Sequence, residues 1–258
     1  MFHRPRLIPC LLLSDGNLVK TRKFKDPTYL GDPINAVKIF SEKGVDELCV
    51  QDIGASRKGG APDFELLEEI AAEAFMPMSY GGGVTTMEQI HRLFHIGFEK
   101  VVLNTAFWEN PGLIEQAAGR YGSQSVTVSI DVRQDLLHRY HCVAKDGTLA
   151  VPGTPAEAAR RAQELGAGEI LLSSVDRDGT MQGYDLKLIR TVAGVLNVPL
   201  IASGGASCAA DMAKALHEGG AQAAAAGSMY VFWGPRRAVL IHAPEEKELY
   251  ECGVYRDD

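Results

Sequence analysis

Apolar β-type runs and amphipathic helical runs alternate along the chain. Runs at 7–12, 47–51, 78–80, 101–103, 126–131, 169–173, 200–202 and 222–226 read as strands. Between them the apolar spacing turns helical, at 33–43, 63–74, 87–96, 111–120, 155–165, 186–196 and 209–218. Pro33, Pro111 and Pro155 stand at or near helix starts, where a missing N–H costs nothing. Gly44, Gly97, Gly166 and Gly219 follow helix ends, where a left-handed residue is wanted. Eight strands alternating with helices over 258 residues predict an α/β fold, a (β/α)8 TIM barrel in one domain, 1–258.

Two segments interrupt the alternation. Residues 14–32 follow the first strand, are polar and contain Gly16, and read as a mobile loop over the barrel mouth. Residues 134–152 follow the fifth strand, and 137–143 with Lys145-Asp-Gly147 read as a β-hairpin. The pattern also repeats. Glu47 and Glu169, Pro77 and Pro199, and Gly82 and Gly204 all keep one offset of 122. Two half-barrels, 1–122 and 123–258, would give this, each building on its own side of the mouth what the other builds opposite.

Composition narrows the function. A formal net charge of −7 provides no basic footprint for nucleic acid. No apolar run approaches the ~20 residues that cross a bilayer, and the first residues lack the apolar core of a signal peptide, so a cytoplasmic protein with no membrane partner is expected. The cysteines Cys10, Cys49, Cys142, Cys208 and Cys252 form no CxxC and read as reduced core thiols. His91 and His95 lie one helical turn apart with no third ligand near, and read as a surface pair; no metal and no cofactor is expected.

The candidate chemistry sits where strands end. Val126-Thr-Val-Ser-Ile-Asp-Val-Arg133 is a buried-type strand closing in one carboxylate, Asp131, at the end that faces ligand in parallel α/β folds. Gly81-Gly-Gly83 and Ser203-Gly-Gly205 each end a strand and lead into a helix, where backbone N–H groups and the helix dipole favour an anion. The turns place Gly82 and Gly83 in one half and Gly204 and Gly205 in the other. Asn104-Thr105 and Gly227-Ser228 would complete these as two phosphate-type sites. Asp178, Gly179 and Thr180 could turn donors toward the second, and Lys20 could close on it from the mobile loop. At the other end, Arg6, Glu47, Lys100 and Glu169 begin strands one, two, four and six. Facing inward they must pair, which predicts a ring of salt bridges closing the barrel floor.

These motifs resemble one family. Ile8-Pro-Cys-Leu11, Asp15-Gly16, Asp46-Glu-Leu48, Asp52-Ile53, Asn104-Thr-Ala106, Gly122-Ser-Gln124, Gly166-Ala-Gly-Glu-Ile-Leu-Leu172 and Asp176-Arg-Asp-Gly-Thr180 are similar to HisF, the cyclase subunit of imidazole glycerol phosphate synthase. Asp52-Ile-Gly-Ala-Ser56 resembles the cyclase more than the related isomerase. The resemblance implies a glutaminase partner, HisH-like, docked at the N-terminal face. Its ammonia would pass Arg6, Glu47, Lys100 and Glu169 as a gate and travel along the axis to the mouth. There it would meet a phosphorylated small molecule, with Asp131 as one of two catalytic carboxylates. Gly82, Asn104, Thr105, Asp178, Gly179, Gly204, Gly205 and Ser228 are implied as phosphate binders, and Lys20 as a substrate-loop residue.

One departure stands out. The family's other carboxylate follows Cys-Leu on the first strand, and here that place is Leu12. Phe232-Trp-Gly-Pro-Arg-Arg-Ala-Val-Leu-Ile-His-Ala-Pro244 also replaces the family's closing helix, and resembles WbuZ-type paralogues associated with sugar amidation. The implied function is therefore an ammonia-channelling subunit serving amidation of a sugar in surface-polysaccharide synthesis, alongside a sugar-amidating enzyme. The alternatives are a true cyclase of histidine biosynthesis and a non-catalytic scaffold activating a glutaminase.

Overall fold

The computed structural model describes residues 4–256. Eight parallel strands close into a barrel: Arg6–Ser14, Leu48–Asp52, Met78–Gly81, Lys100–Leu103, Val126–Gln134, Glu169–Ser174, Leu200–Ser203 and Ala223–Ala226, the last pairing back onto the first. Helices between strands cover the outside, as the alternation predicts. Most of the core lies between strands and helices, built on residues such as Phe40, Ile70, Ile90, Phe107 and Leu188. A smaller cluster fills the axis: Ile8, Cys10, Cys49, Val102, Leu171, Ile201, Ala223 and Ala225. Two alanines on the eighth strand keep this inner layer thin.

Local chemistry sets the helix limits. Asp32 caps Pro33–Glu42, and Thr86 and Thr154 form capping boxes with Gln89 and Glu157. Gly44, Gly97 and Gly166 have positive φ as expected, but at the last of these predicted stops the left-handed residue is Gly220, not Gly219. Gly219 is held small by close packing instead, since a Cβ there would lie 2.4 Å from the Ala215 carbonyl.

Residues 14–32 do not form an irregular loop. The first strand runs on into an antiparallel hairpin, Asn17–Arg22 with Lys25–Gly31. Leu18, Val19 and Thr21 suit a strand buried on both faces, but Asp, Gly and Lys around them conceal the run. The hairpin after the fifth strand is present, with Tyr140–Ala144 pairing Val126–Gln134 and then Leu149–Ala150. The tail forms a short hairpin, Phe232–Trp233 with Ala238–Val239, followed by the helix Glu246–Glu251. Among the described residues no helix is long and apolar enough to cross a membrane.

At the floor the four charges meet. Arg6 bonds both Glu47 and Glu169, and Lys100 reaches Glu47 at 3.0 Å and Glu169 at 2.8 Å. The glutamate side chains are 4% and 10% exposed, so each carboxylate depends on the two cations. Burial works against the Arg6 charge, and Glu169 and Glu47 outweigh it, holding the guanidinium above its ordinary value. Removing one member strands its partners. Glu169→Gln is expected to cost about 3–5 kcal/mol of unfolding free energy at pH 7, measured by urea denaturation; a loss under about 1 kcal/mol would show the ring to be solvated.

Candidate functional site

The C-terminal ends of the strands surround a cavity of about 350 Å³. Asp131, Leu12, Lys20, Thr105, Gly204 and Ser228 are among its walls. A much smaller void of about 10 Å³, the size of one water or ammonia molecule, lies inside the barrel against Glu47, Cys49, Ser79 and Thr127. Val102 borders both, so the void sits between the charged floor and the mouth.

Asp131 is 7% exposed. It accepts bonds from Asn104 Nδ2 at 3.1 Å and Ser129 Oγ at 3.3 Å. Burial pushes its carboxyl up, the Asp146 charge adds to this, and the result is about 7. Such a group exchanges protons near neutrality, as a general acid or base must. Asn104 thus has a part that its sequence position did not reveal. Its side chain holds Asp131 and the Ser129 carbonyl rather than pointing to an anion.

Strand register decides what stands opposite. Asp131 pairs with Ser173, and Leu12 pairs with Gln51. Ser173 and Gln51 are related by the repeat offset of 122. Leu12 therefore occupies the place in the first half that Asp131 occupies in the second. It lines the same cavity, with no proton to give.

The glycine turns follow the repeat as well. A Cβ on Gly82 would lie 2.5 Å from the Asp52 carbonyl, and one on Gly204 would lie 2.7 Å from that of Ser174. Close approach to the neighbouring strand end by itself requires glycine at both positions. The observation that points to a ligand lies beside them. The hydroxyls of Thr105 and Ser228 are buried without a hydrogen-bond partner, each on the first residue of a short helix, Thr105–Glu109 and Ser228–Val231. Buried hydroxyls normally find partners, so both are set for acceptors that arrive with a ligand.

Three residues expected to contact an anion have protein partners in the structure. Lys20 lies on a strand, 7% exposed, and its ammonium bonds Asp178 at 2.7 Å. The Asp178 carboxylate also accepts from Thr21 Oγ1 at 2.9 Å and the Phe24 amide at 3.3 Å. It fastens the first hairpin across the mouth, and the Asp178 amide donates to the Ser174 carbonyl at 3.0 Å. Thr180 donates to the Arg177 carbonyl at 2.7 Å and lies off the cavity. Gly179 and Gly227 do border the cavity. The tail contributes a brace that sequence reading missed. Arg237 donates to the Gly179 carbonyl at 3.3 Å and the Thr180 carbonyl at 3.2 Å. Cys10, Cys49 and Cys142 are buried as expected, whereas Cys208 is exposed and Cys252 half-buried. His91 bonds the Tyr121 hydroxyl at the surface.

Fold and site together define a (β/α)8 barrel with a cavity at its mouth beside one tuned carboxyl group. The family model described as histidine biosynthesis protein matches residues 6–232. A protein of Pseudomonas aeruginosa provisionally named imidazole glycerol phosphate synthase subunit hisF2 is 47% identical over 95% of this chain and 98% of its own. A Vibrio vulnificus protein provisionally named subunit hisF3 is 46% identical over 95% of each. The Exiguobacterium sibiricum protein named imidazole glycerol phosphate synthase subunit HisF is 41% identical over 87% of this chain and 90% of its own. The chain belongs to the histidine biosynthesis protein family, as a member of its HisF group.

The raised Asp131 has a consequence for stability. The folded chain holds this proton more tightly than the unfolded chain, so the contribution is complete below pH 4 and is lost as pH rises toward 7. Asp131→Asn should match the wild type in thermal midpoint at pH 4 and exceed it at pH 8, by at most on the order of 4 kcal/mol in free energy. A pH-independent difference in a melting series would contradict the assignment.

Proposed function

We propose that this chain is a HisF-like subunit that receives ammonia from a glutaminase docked at its floor and delivers it at the mouth for amidation of a sugar in surface-polysaccharide synthesis. The observation that carries this is Leu12, facing Gln51 in the register position that Asp131 holds opposite Ser173. Imidazole ring closure with bond cleavage needs an acid/base pair across the mouth, and a leucine removes one side of it. The means of handling ammonia remain. Arg6, Glu47, Lys100 and Glu169 would act as the gate, and the void above Glu47 as a way station. Thr105 with Gly82 and Gly83, and Ser228 with Gly204, Gly205, Gly179 and Gly227, would hold the acceptor's anionic groups. A sugar-amidating enzyme would complete the system.

A second reading is a genuine cyclase of imidazole glycerol phosphate synthase. It is favoured by Asp131 itself, still buried, still held by Asn104 and tuned to about 7. The purified chain with the bisphosphorylated ribonucleotide and ammonium salts separates the two. The first reading expects turnover ~10²–10⁴ below an ordinary cyclase, and at least a tenfold gain in Leu12→Asp. Wild-type turnover at the ordinary cyclase rate would overturn it.

A further inference from the structure

We infer that Cys10 and Cys49 form an oxidisable dithiol at the neck of the barrel axis, a modification site that a small hydroperoxide entering from the mouth converts reversibly into a disulfide. The inference is independent of the ammonia-using role proposed above and holds whatever the acceptor is.

Strand register brings the two thiols together. Cys10 on the first strand and Cys49 on the second are direct partners across one parallel ladder. Both belong to the cluster that fills the axis, so their side chains share the inner face of the barrel. Neighbouring strands lie about 4.8 Å apart, and a disulfide spans Cα separations of about 4.4–6.8 Å, so a bridge fits without a change of register. The other cysteines have no such partner. Cys142 lies in the core between strands and helices, Cys208 is exposed and Cys252 is half-buried.

The pair stands at the step between two spaces. Cys10 borders the mouth cavity of about 350 Å³, and Cys49 borders the void of about 10 Å³ beneath it. Cys10 is 8% exposed, which shuts out bulky reagents but leaves a route through the cavity for a molecule little larger than water. Around the sulfurs the inner layer is aliphatic, with Ile8, Val102, Leu171 and Ile201. The exception is Ser79, the ladder partner of Cys49 on its other side. The hydrogen bond to Cys49, together with burial, holds the Cys10 thiol well above its ordinary value. The same bond draws the Cys49 thiol down against its burial, and Ser79 adds to this. Once ionised, the pair shares one proton along an existing contact.

The chemistry needs hydrogen peroxide as oxidant and nothing else. The shared proton passes to Cys49, and the Cys10 thiolate attacks one peroxide oxygen. The S–O bond forms, the O–O bond breaks, and hydroxide leaves. That hydroxide takes the Cys49 proton and becomes water. The Cys49 thiolate then attacks the Cys10 sulfur, the S–S bond forms and the S–O bond breaks. The second hydroxide takes up the proton that the pair had first released. Two thiols have lost two electrons in all, and one peroxide has become two waters. A dithiol reductant reverses the change by thiol–disulfide exchange.

The test uses the full-length chain with Cys208→Ser and Cys252→Ser, which remove the accessible surface thiols. After hydrogen peroxide in native buffer, the protein is unfolded, alkylated and mapped by mass spectrometry. The expected result is loss of both axial thiols, a peptide linked through Cys10 and Cys49, and a still-reduced Cys142 that reports an intact core. Dithiothreitol should return both thiols. Cys49→Ser in the same background should give no bridge and should leave Cys10 as a sulfenic acid that dimedone captures. Free Cys10 and Cys49 after peroxide has fully oxidised Cys208 in the wild type would overturn the proposal. So would sulfinic acid at Cys10 without a bridge, or a bridge that appears only when Cys142 reacts as well.

Discussion

Four charges that face one another inside the barrel floor constrain everything above them. Each enters at the start of a strand, and none is tolerable without the others. Arg6 and Lys100 each bond both Glu47 and Glu169, so four separate strands are tied at one level. Stability does not explain why they are there, because a buried ionic set is often no better than apolar residues of the same volume. Their effect is to close the floor with polar side chains where leucine and valine could have sealed it. Above it the small void is walled by Cys49, Ser79, Thr127 and Ala225 together with the aliphatic Ile8, Val102, Leu171 and Ile201.

The mouth inherits the same two-sided frame but not the same chemistry on both sides. Thr105 and Ser228 are matched, as are the turns at Gly82 and Gly204. Leu12 and Asp131 share a register position and differ entirely in what they can do. The asymmetry extends to the surrounding segments. The first hairpin is fastened by Asp178, whose loop is fastened in turn by Arg237 from the tail. Segments following strands one, six and eight thus form one chain of contacts across the second half of the mouth. The replacement of a closing helix by the Gly-Pro turn and its hairpin becomes intelligible, since it brings the Arg237 guanidinium to two carbonyls.

The barrel was legible because its signal is long and periodic, and because proline and glycine mark the helix ends. The floor ring was legible from charge balance and from the repeat that matches Glu47 with Glu169. The short-range details of the mouth were not. Lys20 was read as a loop lysine that could close on an anion, because nothing local shows that Asp178, far along the chain, will neutralise it. Asn104 was read as part of a phosphate-type site, and its side chain bonds the buried Asp131 carboxylate. In each case the deciding partner is distant in sequence, and periodicity carries no information about it.

The central claim is that the floor charges serve passage rather than folding. It is tested most directly by the unfolding free energy of the fourfold variant Arg6→Met, Glu47→Leu, Lys100→Met and Glu169→Leu. Side chains of similar volume replace the whole set, so no charge is left unpaired. The account predicts a barrel at least as stable as the wild type in urea at pH 7. A loss of more than about 3 kcal/mol would contradict it, and would make the ring a structural keystone whose presence needs no traffic through the floor.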